Sequence, residues 1–225
     1  MNRKNLYRLL IFPVVLLAGC ELDNYDPPAS PLNGRLVHND QPIEIRQGMN
    51  VLQLFQNSYE NNTPIAIQVR QDGSFSSMLF DGSYQLVRIG GNGPWNHIPD
   101  TIMVAVNGAT TVDIPVTPYF SISGAAFSVD NGVLTASCSV TRNVAERQLE
   151  AVVLLVGKRA LLDHMYRITE SRKPSGQVNL DEPVVLTQSL DADLLASEPY
   201  LFARIGVKTV GHPEYIYSPV WQVVR

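Results

Sequence analysis

Short segments of alternating apolar and polar residues, separated by Asn-Gly or Asp-Gly, constrain the fold of this chain most strongly. The alternation is clear in residues 65–70, 84–89 and 102–106, and a period of two is typical of β-strands with one buried face. Asn-Gly and Asp-Gly tolerate the positive φ angles that tight hairpins require. The dipeptides are Asn33-Gly34, Asp72-Gly73, Asp81-Gly82, Asn107-Gly108 and Asn131-Gly132. Their recurrence between short strands predicts an all-β fold and favours β-sandwiches.

Helical patterns are short. Residues 48–55 have the clearest one, although the same residues suit a loop or a strand equally well. Residues 192–197 suggest a single helical turn between strands.

A domain boundary is predicted at Thr117-Pro118-Tyr119, which divides the chain into residues 32–118 and 119–225. Six further strand-like segments follow the boundary, a number that suits a seven-strand immunoglobulin-like sandwich. They are 121–130, 133–141, 149–156, 183–189, 200–209 and 215–224. In the fifth segment the alternation predicts that Arg204 and Lys208 point to solvent, and Tyr200 is placed to form a tyrosine corner.

The first nineteen residues have the layout of a secretory signal peptide. Three basic residues precede the apolar run 9–18, which ends at Gly19 and Cys20. A run of about ten residues is too short to span a bilayer as a helix, which needs about twenty. Leu17-Ala18-Gly19-Cys20 resembles the bacterial lipobox, in which the cysteine thiol receives a diacylglycerol. We therefore expect residues 1–19 to be removed and Cys20 to anchor the protein to a membrane through lipid.

Residues 20–31 are predicted to form a flexible linker between that anchor and the folded domains. Glu21, Asp23 and Asp26 are acidic, and three prolines disfavour regular structure. Acidic residues after the cysteine resemble the surface-export signal of gut anaerobe lipoproteins, but a solvated linker explains them equally well. The expected location is the outer membrane, with the body exposed at the cell surface.

Charge and cysteine content exclude several classes of function. The formal net charge of −4 becomes −7 once Arg3, Lys4 and Arg8 are removed with the leader, so no basic surface for nucleic acid is expected. Cys138 is the only other cysteine, and with Cys20 acylated it has no disulfide partner. Cys138 alternates with apolar residues, which predicts a buried structural thiol. The four histidines have no metal-ligand spacing, so neither a metal nor another cofactor is expected.

An ordered set of short motifs resembles the domain-of-unknown-function 3823 lipoproteins from about residue 30 to the end. The motifs are 72–75, 79–84, 93–95, 116–119 and 217–220. The resemblance implies a transthyretin-like or carboxypeptidase regulatory-like sandwich followed by an immunoglobulin-like sandwich. It also implies a glycan-uptake setting, beside starch-utilisation-type outer-membrane transporters and their glycan-binding lipoproteins. It supplies no catalytic residues.

No enzymatic motif stands out. The chain has no Gly-x-Ser-x-Gly elbow, His-Glu-x-x-His pair, Cys-x-x-Cys pair or phosphate-binding Gly-Lys-Ser/Thr loop. Neighbouring acids such as Asp191 and Asp193 are more typical of solvated turns than of a glycosidase pair. We therefore expect a protein that is not an enzyme.

The best binding candidate is the glycine-rich loop 89–97. Trp95 offers a ring on which a sugar can stack, while Asn92, Asn96 and His97 offer polar partners. The alternative is that the Trp95 indole fills the end of the sandwich, because a large ring buries much area. Tyr215 and Tyr217 alternate with Ile216 and predict an exposed aromatic face that binds ligand or covers a sheet. Trp221 is expected in core or interdomain packing.

Three functions follow from these observations. The first is an accessory glycan-binding or scaffolding lipoprotein of a polysaccharide uptake system. The second is a fimbrial or adhesin subunit, because fimbrillins are also lipoproteins built from two sandwiches. The third, a hydrolase, is the least supported by the sequence.

Overall fold

The computed structural model describes residues 26–56, 63–191, 193 and 198–223, and these form sixteen β-strands with one short 3-10 turn at Ser175–Gln177. Eight strands precede residue 118: β1 Ser30–His38, β2 Gln41–Pro42, β3 Met49–Gln56, β4 Ile65–Val69, β5 Ser74–Leu79, β6 Gly82–Arg88, β7 Thr101–Val106 and β8 Thr110–Pro115. Eight follow it: β9 Phe120–Asp130, β10 Val133–Arg142, β11 Leu149–Gly157, β12 Thr169–Pro174, β13 Val184–Ser189, β14 Leu201–Thr209, β15 Tyr215–Tyr217 and β16 Trp221–Val223.

The N-terminal domain is a sandwich of two four-stranded sheets. The first sheet has the order β2-β1-β5, with β8 parallel to β1 on its other side, and the second has the order β4-β3-β6-β7. The inward positions of both sheets form one core that includes Leu36, Phe75, Tyr84 and Trp95. The alternation predicted for 65–70, 84–89 and 102–106 is confirmed by β4, β6 and β7.

The C-terminal domain is a second sandwich. Its sheets are β13-β10-β9 and β12-β11-β14-β15, with β16 also paired to β14. The core between them contains Phe120, Leu134, Val152 and Ile205. The prediction of two all-β sandwiches is therefore confirmed.

β11 and β14 are buried on both faces rather than one. Nearly every residue of both strands is buried, because the face away from the sandwich core is covered as well. Val153 and Leu155 of β11 pack there against Leu162 and Tyr217. This second covered face is where the two domains meet.

The turn dipeptides have three different roles. Asn131-Gly132 joins the paired strands β9 and β10 with φ angles of 49° and 75°, as a tight hairpin requires. Asp72-Gly73, Asp81-Gly82 and Asn107-Gly108 instead carry the chain from one sheet of the N-terminal domain to the other. The prediction of a turn at Asn33-Gly34 is wrong, since both residues lie within β1.

Several other sequence expectations have a clear outcome. Residues 49–56 form a strand, which resolves the ambiguity of the 48–55 pattern. The strand β12 was not anticipated. Cys138 is buried, as predicted, at 2% exposure. Of the turn expected at 192–197, only Asp193 lies within the described residues, and the signal peptide and Cys20 lie outside them.

No helix in the described ranges has the length and hydrophobicity needed to cross a bilayer.

Tyr200 is 58% exposed, so it does not form the predicted tyrosine corner.

Candidate functional site

Arg204 lies at the centre of the junction between the two domains. Leu201, Ala203, Ile205 and Val207 of β14 face the C-terminal core, so Arg204 projects from the opposite face, towards the N-terminal domain. Its side chain is fully buried. The prediction that Arg204 points to solvent is wrong, because the face of the sheet that alternation assigns to water is covered by another domain.

The Arg204 guanidinium joins four loops through hydrogen bonds. Nε donates to the Ser218 carbonyl at 2.8 Å and Nη1 to the Leu162 carbonyl at 2.9 Å. Nη2 donates to the Glu44 carboxylate at 2.9 Å and to the Gln71 carbonyl at 3.1 Å. Glu44 and Gln71 belong to the N-terminal domain, so one side chain ties the two domains together.

Desolvation dominates the electrostatics of this pair. Burial lowers the pKa of the Arg204 guanidinium, and the Glu44 carboxylate opposes that shift. Burial raises the pKa of Glu44, and the nearby Arg204 charge opposes that shift in turn. Arginine remains charged in proteins, so Arg204 needs a carboxylate and several carbonyls once it has left water.

Tyr215 and Tyr217 lie beside Arg204 and are buried, at 8% and 2% exposure. The rings of His164, Tyr215 and Tyr217 stack in series, with centroids 4.8 and 5.8 Å apart. The Arg204 guanidinium lies 4.4 Å from the Tyr217 ring centroid, and Lys208 covers Tyr215. The expectation that these rings are exposed is wrong, because the stack fills the junction instead of facing solvent. The alternative that they cover a sheet is confirmed, since both pack against Val153 and Leu155 of β11. A role of Tyr215 and Tyr217 in ligand binding stays a prediction.

Two clefts flank the junction. The first, which we call the proline cleft, has a volume of about 430 Å³ and is lined mainly by the β1–β2 hairpin, the domain boundary and β15; its prolines are Pro42, Pro118 and Pro219. The second, which we call the polar cleft, has a volume of about 400 Å³. Both volumes fall within the usual range of small-ligand sites, which often form at domain interfaces.

The polar cleft is built from loops of both domains. Its lining residues are Arg46, Gly48, Met49, Asn50, Gly91, Asn92, Pro213 and Glu214. Gly48 and Gly91 have φ angles of 74° and 79°, and no atom lies within 4 Å of where a Cβ would be. The backbone at these two positions is therefore open to a ligand.

The polar side chains of this cleft are held in place by hydrogen bonds. The Arg46 guanidinium donates to both oxygens of Glu214, at 3.0 and 2.7 Å, and this hydrogen bonding to the carboxylate raises the pKa of Arg46. Asn92 Nδ2 donates to the Asn50 carbonyl at 2.8 Å. His212 Nε2 lies 3.2 Å from the Gly91 carbonyl. These contacts fix the loops of the two domains against each other.

In the loop predicted to bind ligand, some side chains belong to the core and others are exposed. Trp95 is 3% exposed and belongs to the N-terminal core, and Gly93 leaves room for its ring. The alternative that Trp95 fills the sandwich end is confirmed, and the indole has no free face on which a sugar can stack. Asn96 and His97 are exposed, and the His97 imidazole lies against Gly90.

Of that predicted set, Asn92 lines the polar cleft. Its role in ligand binding, like that of Asn96 and His97, stays a prediction. Trp221 packs against the C-terminal core and stacks on Phe127 at 5.4 Å, as expected for a packing residue.

Sequence reasoning missed Arg46, Glu44, Glu214 and Arg204. A signal for Arg204 was present, since it stands in the run Leu201–Val207 whose apolar residues do not alternate cleanly with polar ones. Runs of this kind are typical of strands covered on both faces. Nothing local distinguishes Glu44, Arg46 or Glu214 from ordinary surface charges, because their partners are distant in sequence.

No group of three His, Cys, Asp or Glu residues within the described ranges is placed to hold a metal ion. The free thiol of Cys138 is buried, and burial raises its pKa to about 11, which suits a structural residue rather than a nucleophile.

Comparison with known proteins identifies both domains. The model described as the N-terminal domain of a protein of unknown function, DUF3823, matches residues 30–117. The model described as DUF3823_C, a domain of unknown function, matches residues 120–222. No significant relative is found among curated proteins.

Solved structures agree with that result. A DUF3823 family protein from Bacteroides ovatus is 34% identical, with a TM-score of 0.81, over 87% of this chain and 98% of its own. One from Parabacteroides merdae is 35% identical, with a TM-score of 0.81, over 88% of this chain and all of its own. A Bacteroides uniformis protein described as a "putative carbohydrate binding protein" shares the fold at 18% identity and a TM-score of 0.70, over 88% of this chain and all of its own.

The two models together span nearly all of the described chain, and two solved relatives exceed 30% identity over most of their length. The chain therefore belongs to the DUF3823 family.

Proposed function

We propose that this protein is a lipid-anchored, non-enzymatic carbohydrate-binding protein of the cell surface, and that the polar cleft is its binding site. The observation that carries the proposal is the cleft itself. It places a guanidinium, a carboxylate and an amide, from Arg46, Glu214 and Asn92, around an opening of about 400 Å³ between the domains.

The chemistry of the cleft suits a neutral saccharide. Each sugar hydroxyl both donates and accepts a hydrogen bond, so it fits a site that offers donors and acceptors side by side. Arg46 and Glu214 neutralise each other through two hydrogen bonds, which leaves the cleft polar without a free positive charge.

Two further points support this proposal. The Bacteroides uniformis protein of the same fold is described as a "putative carbohydrate binding protein", and the family resemblance implies a polysaccharide uptake setting beside an outer-membrane transporter.

Affinity gel electrophoresis against a panel of neutral polysaccharides tests the proposal. We expect wild type to be retarded on at least one of them. The double variant Asn50→Ala/Asn92→Ala is expected to lose most of that retardation, because it removes two amides at the cleft. Asn33→Ala is the matched control, since Asn33 is an exposed asparagine of β1 outside the cleft. Equal retardation of all three proteins would move the site elsewhere, and no retardation of wild type would contradict carbohydrate binding.

The lipid anchor is tested separately. We expect radiolabelled palmitate to enter the wild-type chain and not the Cys20→Ala variant, because acylation of Cys20 supplies the anchor. Wild type should then fractionate with the outer membrane and be digested by protease added to intact cells. If palmitate is not incorporated, the proposed lipid anchor is contradicted, while the proposed binding site in the polar cleft is unaffected.

A scaffolding role is a second candidate, favoured by the loop between β11 and β12. Leu161, Met165, Tyr166 and Ile168 are between 42% and 67% exposed. The loop beneath them is held firmly, since Leu162 is buried and Gln71 Nε2 donates to the Ala160 carbonyl at 3.0 Å. Exposed apolar side chains on a fixed loop are typical of protein docking sites.

The scaffolding candidate predicts that Met165→Ser/Tyr166→Ser leaves polysaccharide retardation unchanged and weakens association with a co-expressed transporter. The same association in wild type and variant would contradict it.

A further inference from the structure

The outer face of the first N-terminal sheet changes from apolar to charged along its length. Met78 of β5 and Phe80 just beyond it are 54% and 44% exposed, and Pro31 of β1 pairs with Met78. Nearer the domain junction, the same face carries the Arg35–Asp113 ion pair, whose oxygen and nitrogen are 2.7 Å apart.

The outer face of the opposite sheet also carries exposed apolar residues at the same end, beside the polar Ser83 and Gln85. Met103 of β7 is 59% exposed and Ala105 is exposed. Across the sheet, Met103 pairs with Gln85, which pairs with Phe55. Met103 is three residues from Val106, where β7 ends, so it lies about 10 Å from that end. We call this end, defined by Pro31, Met78, Phe80, Met103 and Ala105, the apolar pole.

The chain enters the folded body at this pole. Ser30, the first residue of β1, pairs with Leu79, and its hydroxyl donates to Asp81 at 2.5 Å. Asp81 also accepts from the Gly108 amide at 2.9 Å, which ties two of the sheet-to-sheet turns together. Cys20 precedes Ser30 by ten residues, a length that reaches at most about 36 Å.

We propose that the apolar pole rests on the bilayer surface, with Met78, Phe80 and Met103 in the interfacial region. This inference rests on the proposed anchor at Cys20. Apolar groups of membrane-surface proteins enter about 5–10 Å into the headgroup boundary, a depth comparable to the distance of Met103 from the end of β7. Further from the pole than Met78, the outer face of the first sheet becomes polar at the Asn33–Ser76 pair. The short linker between Cys20 and Ser30 keeps the apolar pole close to the bilayer, so no additional attraction is needed to bring the pole into contact with lipid.

The orientation has a consequence for the binding site. β1 is nine residues long and runs from the pole to the domain junction, a distance of about 30 Å. With the pole on the bilayer, the clefts at the junction are held above the membrane, and the C-terminal domain lies on the side of the junction away from the pole.

Site-directed labelling of the full, acylated chain tests this orientation. Met78→Cys, Ser76→Cys and Val185→Cys are each labelled with an environment-sensitive fluorophore. Cys138 gives little background because it is 2% exposed, and unsubstituted protein measures what remains. Ser76 lies on the same strand face two residues further from the pole, and Val185 is a 47% exposed residue of the C-terminal domain.

The labelled proteins are reconstituted into phosphatidylcholine–phosphatidylglycerol vesicles containing a lipid with a nitroxide near the headgroup. We expect several-fold stronger quenching at Met78 than at Val185, with Ser76 between them. Equal quenching at Met78 and Val185, in protein that floats with the vesicles, would overturn the orientation and leave the anchor intact. Protein that does not float with the vesicles would overturn the anchor and the orientation together.

Discussion

At the scale of single residues, Arg204 has the largest consequence for stability. Removing its side chain leaves Glu44 partly buried without its cation and the carbonyls of Leu162 and Ser218 without their donor. Breaking a buried ion pair by removing one partner costs about 3–5 kcal/mol. We expect Arg204→Met to lower the free energy of unfolding by about that amount, measured by urea denaturation.

The matched control for that measurement is Arg35→Met. Arg35 also pairs with a carboxylate, that of Asp113, but the pair is exposed to solvent, and such pairs contribute little to stability. An equal loss of stability in the two variants would show that burial of Arg204 has no special weight.

Glu44 predicts a particular pH dependence. Burial raises the pKa of the Glu44 carboxyl in the folded state above its value in the unfolded chain. The folded state therefore binds the proton more tightly, and the stability gained from protonated Glu44 is lost as pH rises through the folded-state pKa. As pH falls from neutral towards about 4, we expect wild type to gain stability relative to Glu44→Gln. Urea midpoints of both proteins across that range provide the check, and a constant difference would contradict the raised pKa.

Cys138 predicts slow thiol chemistry in the folded protein. Its pKa is raised to about 11, well above the pKa of about 8.5 for a free cysteine, and the side chain is buried. We expect a disulfide reagent at mildly alkaline pH to react with Cys138 only as the domain unfolds in urea. Rapid, complete reaction of the native protein would place the thiol nearer the surface than the structure does.

At the scale of elements, two glycines are needed for different reasons: Gly34 because of close packing, and Gly132 because of its turn conformation. A Cβ on Gly34, within β1, would lie 2.0 Å from the Val112 carbonyl oxygen and 2.4 Å from the Phe75 ring. A Cβ on Gly132, in the β9–β10 hairpin, would meet nothing closer than 3.8 Å, but the residue has a φ of 75°.

We expect Gly132→Ala to cost about 1–2 kcal/mol, the usual penalty of a left-handed conformation. Gly34→Ala should cost more than 4 kcal/mol, on the order of the largest single-residue effects, because strand β1 cannot move away from both of its neighbours. Thermal denaturation of both variants measures the difference. A smaller loss for Gly34→Ala than for Gly132→Ala would be inconsistent with the packing around β1.

At the scale of the whole molecule, each domain has its own core, and the contacts at the junction couple the two domains. Ile216 of the C-terminal strand β15 packs into the N-terminal core, and the Tyr217 amide donates to the Glu44 carbonyl at 3.0 Å. Domains of one chain usually move relative to each other unless their interface is extensive. Here the polar cleft depends on that interface, because its walls come from both domains.

We expect wild type to unfold in a single calorimetric transition. Arg204→Met should broaden it or resolve it into two, because the variant uncouples the domains while each core remains. Arg35→Met is again the control. A single, equally sharp transition in Arg204→Met would show that the apolar contacts of Ile216 and the tyrosine stack are sufficient to couple the domains.

The sequence by itself determined the class of fold, three strands of the N-terminal sandwich, most strands of the C-terminal sandwich and the burial of Cys138, because alternation and turn residues act over a few neighbours. It also contained the correct alternative for Trp95. It predicted the wrong environment for Arg204, Tyr215 and Tyr217, and the wrong role for Gly34. Alternation shows which residues share a face of a strand, but only the tertiary structure decides what covers each face. The Arg204 junction and the polar cleft were decided at that level, since their residues come from loops and strands far apart in the chain.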